Sequence, residues 1–470
     1  MRISIAGVAV VLLAFAGAAS SARPPWTLSV SANHRFLQRA DGTPFFWLAD
    51  TGWLLLSKLD RTEARRYLDD RRAKAFNVIQ VMVLHTADAR AANGAPALLG
   101  SDPGRPLVTS GSSPSDPRAY DYWDHLDWVV REAERRGLYL ALVPAWGSLA
   151  RTGALNESNV ATYASFLARR YRAAPNIVWL VGGDTRGNEQ AEVWRTMGRT
   201  LRAEDPGHLI TFHPFGRMQS STWFHAEPWL DFNMFQSGHR RYDQDTESPK
   251  RFGEDNWRYV LDDYAKAPPK PVLDGEPSYE NIPQGLHDGR QPYWTAADAR
   301  RYAYWSVFAG ACGHTYGDNA VMQFHAPGSG PGDYSPRNYW FDAINDPGAG
   351  QMRHLAALMR SRPYFDRAHD PDAVASGSGP RREHVIATRG RDYAMVYTYT
   401  GRPIEVRLGV ISGATLRAWW YNPRDGRVDP TGLVPNTGVR RFVPPGQPAE
   451  GNDWVLVLDD AAKRFRPPGR

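Results

Sequence analysis

Eight short, nearly continuous apolar runs recur along the first three quarters of the chain, and most are followed by a stretch with helical periodicity. The runs are Phe45–Asp50, Phe76–Leu84, Leu138–Trp146, Asn176–Leu180 continuing into Val181-Gly182-Gly183-Asp184, Leu209–Phe212, Asp231–Phe235, Pro271–Asp274 and Gly313–Tyr316. Strands covered on both faces read as runs rather than alternations, because both sets of side chains leave water. Between them, Trp123, Leu126, Val130 and Ala133 share one helical face, as do Val160, Tyr163, Leu167 and Tyr171. Asp60, with Glu63 three residues on, has the form of a capping box. Further helices are expected over Glu189–Ala203, Pro249–Ala265 and Thr295–Ala309, and a last one carries Met352, Leu355 and Met359. Eight strands with intervening helices make a (β/α)8 TIM barrel the economical architecture. A doubly wound open sheet is the alternative. It usually wants a glycine-rich phosphate loop after the first strand, which this sequence lacks.

Near Pro371–Pro380 (PDAVASGSGP) the composition turns small and turn-forming, and beyond it the period becomes two. Tyr393–Tyr399, Ile404-Val406-Leu408, Leu416-Ala418-Trp420 and Trp454–Leu458 read as short strands, with hairpin turns at Arg389–Asp392 and Asn422–Gly426. The expected organisation is a signal peptide over 1–22, a barrel over 23–370 and a small all-β sandwich over 371–470. The leader rests on Arg2, the apolar stretch Ile5–Ala16 and the small residues Gly17–Ala22. That stretch is short for a spanning helix, so export to the periplasm or beyond is expected, with no membrane attachment after cleavage. Cys312 is the only cysteine. It excludes an intrachain disulfide and sits in a small, apolar stretch that reads as packing.

The net charge is +6, but the excess arginines are scattered and form no basic run of the kind nucleic-acid binders show, so no nucleic-acid partner is expected. Aromatics make up 12% of the chain, with 17 Trp. That content suits either well-packed cores or a pocket that stacks on sugar rings.

Catalytic groups of such barrels lie where strands end and the following loops begin. The fourth run ends in Asp184 and the seventh in Asp274-Gly275-Glu276-Pro277. Two carboxylates at these ends could flank a glycosidic bond, one protonating the leaving oxygen while the other attacks or activates water. The competing structural reading has Asp184 capping the next helix and Glu276 in a buried ion pair. Trp146 and Trp179 are candidate apolar walls, although Trp179 could equally face the helix layer. Other strand ends add Asp50, Trp53, His85, His213, Gln236, His239, His314, Tyr316 and Asp318 as candidate sugar contacts. The long segment Ala87–Arg118 is expected to shape the pocket. The histidines lie on separate strands without the H-E-x-x-H spacing of a hydrolytic zinc site, so neither metal nor other cofactor is expected. A G-x-S-x-G nucleophile elbow is also absent.

Taken in order, Phe46-Trp47-Leu48-Ala49-Asp50-Thr51-Gly52-Trp53, Phe76–Gln80, Trp179–Asp184, Asn233–His239, Asp274–Pro277 and Tyr304–Gly317 resemble the apiosidase-like glycoside hydrolases over about Ser29–Tyr364. The family's characterised member acts on an apiosyl linkage in a pectic side chain. The C-terminal residues, with Ala418–Arg424 and Asp453–Leu458, resemble the small β domain labelled as collagen-binding that often follows it. The resemblance implies a polysaccharide or oligosaccharide substrate, Asp184 as acid/base, and Glu276 as nucleophile, or as base if the enzyme inverts. Strand-four and strand-seven placement resembles the barrel clan that mostly retains configuration. The rival function is a non-catalytic carbohydrate- or matrix-binding protein on the same scaffold.

Overall fold

The computed structural model describes residues 26–244 and 252–470. The expected signal peptide lies outside the described residues. Eight parallel strands form the barrel: β1 (Trp47–Thr51), β2 (Val78–Leu84), β3 (Tyr139–Ala145), β4 (Ile177–Thr185), β5 (Ile210–Pro214), β6 (Asn233–Gln236), β7 (Val272–Asp274) and β8 (Gly313–Tyr316). The ladder runs β5-β4-β3-β2-β1-β8-β7-β6. The Asp231 N–H donates to Ile210 O at 2.9 Å and the Thr211 hydroxyl to Phe232 O at 2.6 Å, which draws β5 and the start of β6 together. This near-closure excludes the open doubly wound sheet. An antiparallel meander (Leu28–Val30, Leu37–Arg39, Pro44–Phe45) lies at the amino-terminal end, where the Phe45 ring packs edge-on against Tyr139 at the start of β3.

Strand alternation explains the apolar runs. Trp47, Val78, Ala141, Val178, Leu180 and Met234 belong to one buried cluster, whereas Ile79, Leu140, Trp179, Val181, Ile210 and Phe212 belong to another, and each cluster also takes in residues of the surrounding helices. Trp179 takes the second option left open by the sequence, its indole N–H donating to Asp205 in the helix layer. The helix Arg61–Ala73 begins at the expected capping box of Asp60 and Glu63, and Thr295 with Asp298 caps the helix Ala296–Phe308 in the same way. Such a cap stabilises a helix by about 1 kcal/mol, because it satisfies amide groups that the first turn leaves without partners. Two helices start later than their periodicity suggests. Gln190, at φ 56°, delays one to Ala191–Glu204, and the other spans only Asn256–Tyr264.

The sandwich comprises β9 (Val385–Arg389), β10 (Tyr393–Thr398), β11 (Ile404–Arg407), β12 (Thr415–Tyr421), β13 (Val428–Pro435), β14 (Val439–Phe442) and β15 (Trp454–Asp460). One sheet runs β9-β10-β15-β12-β13, with the short strand Ala368–His369 beside β9, and β11 and β14 form the second. Val385, Val396, Ile404, Val406, Leu416 and Leu456 fill the space between them. The segment expected to be a linker is part of this domain: Ala373 and Val374 are buried in its core, and Val374 bridges to Val406.

The opposite face of the large sheet is also buried, against the barrel. Met395, Tyr397, Trp419, Tyr421 and Val457 join the same apolar cluster as the barrel interior. Tyr397 stacks on Tyr304 with ring centroids 4.8 Å apart, and His384 stacks on Trp257 at 4.3 Å. Buried ion pairs cross the boundary, Arg300 to Asp453 at 2.8 Å and Arg362 to Asp459 at 2.7 Å. Trp419 and Tyr421 are therefore interface groups. The Trp419 indole donates to Asp459 and the Tyr421 hydroxyl to His354 O.

Candidate active site

Asp184 owes its position to an irregular end of β4. The β4–β5 register slips between Gly182 and Thr185, and Gly182, Gly183 and Asp184 have φ of 95°, 114° and 45°. Only glycine fits the first two positions. A Cβ on Gly182 would stand 2.7 Å from His213 O, and one on Gly183 would stand 2.5 Å from the Trp146 ring. Asp184 itself is a non-glycine residue in the left-handed region, a strained conformation of the kind found at functional sites. Arg151 holds this turn, its guanidinium donating to Asp184 O at 2.9 Å.

Glu276 follows β7 and is 6% exposed. The Gln80 amide donates to Gly275 O at 2.8 Å, and the Gly238 N–H donates to Glu276 O at 3.1 Å, so the backbone on both sides of the carboxylate is anchored. His213 Nε2 lies 3.2 Å from one Glu276 oxygen and His239 Nε2 lies 3.2 Å from the other. The Tyr279 N–H faces His239 Nδ1 at 3.4 Å, which assigns the ring proton to Nε2 and points it at Glu276.

Asp184 and Glu276 meet across one cleft. One ligand atom each from Asp184, His213 and Glu276 all lie within 4.8 Å of one another. Burial, and then the charge of Glu276, push the Asp184 carboxyl up to about 7, against the opposing pull of His213, Gln236 and His239. Burial also resists ionisation of Glu276, but its contacts with His213 and His239 prevail and hold it well below the usual carboxylate range. Neighbouring carboxylates with opposite shifts are how a site keeps one acid and one anion at the same pH. The same three side chains are the group that could hold a metal among the described residues. His239 Nε2 hydrogen-bonds one Glu276 oxygen, while His213 Nε2, the other Glu276 oxygen and Asp184 Oδ1 are buried without a hydrogen-bond partner among those residues.

A cavity of about 260 Å³ opens over the pair, lined by Trp53, His85, Trp146, Gln236 and His239 among the residues singled out from sequence. Trp53 and Trp146 lie 5.4 Å apart, and each ring packs against His213. His213 is fully buried behind Glu276 and is not part of the cavity wall. The wall also contains Met82, Tyr279, Ile282, Leu286, Gln323, Asp333 and Tyr334. Most of these come from the loops after β7 and β8, which carry no periodic signal. A second hollow of about 220 Å³ adjoins the first, and the two share Asp184, Gln236, His239, Leu286 and Tyr334.

Four expected sugar contacts belong elsewhere. Asp50 pairs in register with Tyr316, and Leu48 with His314, whereas Thr315 pairs with Ala49 and accepts from the Trp47 indole on the other face. Asp50 accepts a hydrogen bond from Tyr67 and lies beside Arg71, both on the helix Arg61–Ala73. Asp50, His314 and Tyr316 therefore occupy the face turned to the helices, and Tyr316 donates to Glu280. His314 is buried, and burial lowers its pKa to about 3. Asp318 caps the short helix Asn319–Met322 and accepts from Asn281. Residues 87–118 do not line the cavity either. They fold over the helix layer, where Trp123 donates to Ala97 O and Asn159 to Asp102.

A parallel barrel that brings two carboxylates together at the ends of β4 and β7, beside aromatic walls, has the arrangement that glycoside hydrolases use. The comparisons agree. Residues 31–366 match the family described as "Apiosidase-like, catalytic domain" and residues 369–459 match "Putative collagen-binding domain of a collagenase". The chain belongs to the apiosidase-like glycoside hydrolases. A solved structure titled "Glycoside hydrolase" is 45% identical, with a TM-score of 0.89 over 95% of this chain and 100% of that one. A glycoside hydrolase family 5 structure from Bacteroides vulgatus is 43% identical, with a TM-score of 0.89 over 95% of this chain and 97% of that one. An endo-1,4-beta-D-mannanase from Thermotoga petrophila shares the barrel fold at 18% identity, with a TM-score of 0.50 over 67% of this chain and 100% of that one. No curated protein matches the chain.

Proposed function

We propose that the protein is an exported retaining glycosidase that cleaves an apiose-type linkage in a complex, pectic-type polysaccharide. The observation that carries the mechanism is the proximity of the two carboxylates: the nearest oxygen of each lies within 4.8 Å of the other, a closeness that favours the shorter of two known carboxyl separations. Retaining enzymes hold their carboxyl groups about 5–5.5 Å apart, whereas inverting ones need roughly 6.5 Å or more to admit a water. The sugar to be released occupies the cavity against the wall that Trp53 and Trp146 form together, and the leaving group extends into the adjoining hollow past Asp184. The Asp184 carboxyl donates its proton to the glycosidic oxygen as that oxygen leaves the anomeric carbon. A Glu276 oxygen attacks that carbon from the other side, forming a glycosyl ester. Asp184, now ionised, takes a proton from an incoming water, whose oxygen displaces Glu276 and regenerates both groups. The apiosyl preference rests on family membership, and export rests on the leader pattern of the first residues.

Digestion of a panel of apiosyl-bearing pectic oligosaccharides beside mannan and other neutral glycans tests the substrate class. Release of apiose alone supports the assignment, and turnover of the other glycans without apiose release overturns it. The pH profile follows from the two shifts. Asp184 must be protonated, so kcat/KM falls as pH rises through about 7, while Glu276 stays ionised far below neutrality. A rate that persists unchanged to pH 9 would remove Asp184 as the acid.

A further inference from the structure

At the amino-terminal end of the barrel, away from the active-site mouth, three arginines converge without a carboxylate. Arg39 ends a meander strand, Arg72 lies in the last turn of the helix Arg61–Ala73, and Arg360 ends the helix Pro347–Arg360. Together they line a cavity of about 410 Å³ that also contains Asn77 and Tyr139, residues at the starts of β2 and β3. Cations nearby are neutralised: Arg136 by Asp69 and Glu132, Arg71 by Asp50 and Asp70, and Lys74 by Asp70. The cavity trio has no ion pair within 4.0 Å among the described residues. Arg39 donates to Pro44 O and Arg360 to Ala356 O, while the Arg72 guanidinium lies over Gly137. Asp41 is near enough to feel Arg39, but its carboxylate is engaged by Thr43. Residues 1–25 contain no Asp or Glu.

Three guanidiniums in one hollow repel one another. Arg72 and Arg360 are exposed at the rim of the hollow and Arg39 is half-buried. Partial desolvation, then the charges of Arg39 and Arg72, lower the Arg360 pKa against an opposing pull from Tyr364. Helix carbonyl ends offset part of the charge of Arg72 and Arg360, but Arg39 is on a strand and has no such partner. Each guanidinium carries five N–H donors in a planar fork, and the hydrogen bonds above use few of them. A fork of this shape matches the paired oxygens of a carboxylate or phosphate. We propose that this cavity is an oxyanion-binding site remote from the catalytic pair, which takes either the carboxylate of an acidic glycan or inorganic phosphate.

Calorimetric titration of the full-length protein with inorganic phosphate, at ionic strength held constant with chloride, tests the site. The expected result is one phosphate per chain, with binding weakened at least tenfold in the Arg72→Ala/Arg360→Ala variant. That variant should keep wild-type hydrolytic activity and melting temperature in chloride, and Arg39→Ala provides a second, single-site version. Repeating the titration with an oligogalacturonate separates the sources. Competition with phosphate for the same site assigns it to an acidic glycan, and phosphate binding alone assigns it to the free ion. If neither probe binds the wild type, or binding survives both variants unchanged, the site does not exist.

Discussion

Glu276→Gln is expected to lower kcat by on the order of 10⁴-fold while the far-ultraviolet spectrum and thermal midpoint stay close to wild type. The amide keeps the shape of the side chain and its place between His213 and His239, but it cannot form the glycosyl ester or balance the positive anomeric centre. Asp184→Asn should cost on the order of 10² to 10⁴-fold, because it removes the proton donor but leaves the nucleophile. The two variants differ in a second way. With a nitrophenyl leaving group, which needs little protonation, the first step should recover in Asp184→Asn and not in Glu276→Gln. Near-wild-type turnover in either variant would remove that carboxylate from the mechanism, whereas oligosaccharide binding by the wild type with no new reducing ends would favour a sugar-binding protein that retains the barrel without its chemistry. The opposed shifts of the two carboxyls and their approach within 4.8 Å argue against that reading.

The second large effect concerns stability. Arg362→Ala is expected to destabilise the protein by about 3–5 kcal/mol, since it leaves Asp459 buried without its partner. The pair is bidentate, with both nitrogen–oxygen distances at 2.7 Å, and the side chains are 0% and 3% exposed. Asp459 also accepts from the Trp419 indole, so loss of the guanidinium disturbs the stacked face between sandwich and barrel. Calorimetry should show one transition at a lower temperature, because the sheet face carrying Met395, Tyr397 and Val457 shares a core with the barrel. Two separate transitions, with the barrel melting as in wild type, would mean that the domains fold independently.

The barrel was legible because buried parallel strands leave an unmistakable trace. All eight apolar runs are strands, and Gly313–Tyr316 has the expected limits. The hairpins at Arg389–Asp392 and Asn422–Gly426 were equally readable from their turn residues. The strand-end rule picked out Asp184 and Glu276, which the structure brings together across one cleft, but it carried no information about facing. Asp50, His314 and Tyr316 sit on the wrong side of the sheet, and only the β1–β8 register reveals it. A period-two count along these strands, anchored on Trp47 or Ala49, would have separated them from Thr315. Tyr334 and Asp333 left no trace, since they reach the cavity from an aperiodic loop rich in glycine and proline. Residues 87–118 misled for the complementary reason. Their length suggested a pocket wall, whereas they satisfy their hydrogen bonds over the helix layer. The segment 371–380 reads as a spacer by composition, yet its two apolar residues, Ala373 and Val374, anchor it in the sandwich core.

The most direct measurement is peptide mapping by mass spectrometry after the enzyme is slowed with a 2-deoxy-2-fluoro glycoside of the sugar it accepts. A covalent glycosyl adduct on Glu276, formed stoichiometrically and lost as activity returns, is the predicted result. An adduct on Asp184 or on any other side chain, or turnover of this reagent to an inverted product with no adduct at any stage, would contradict the assignment.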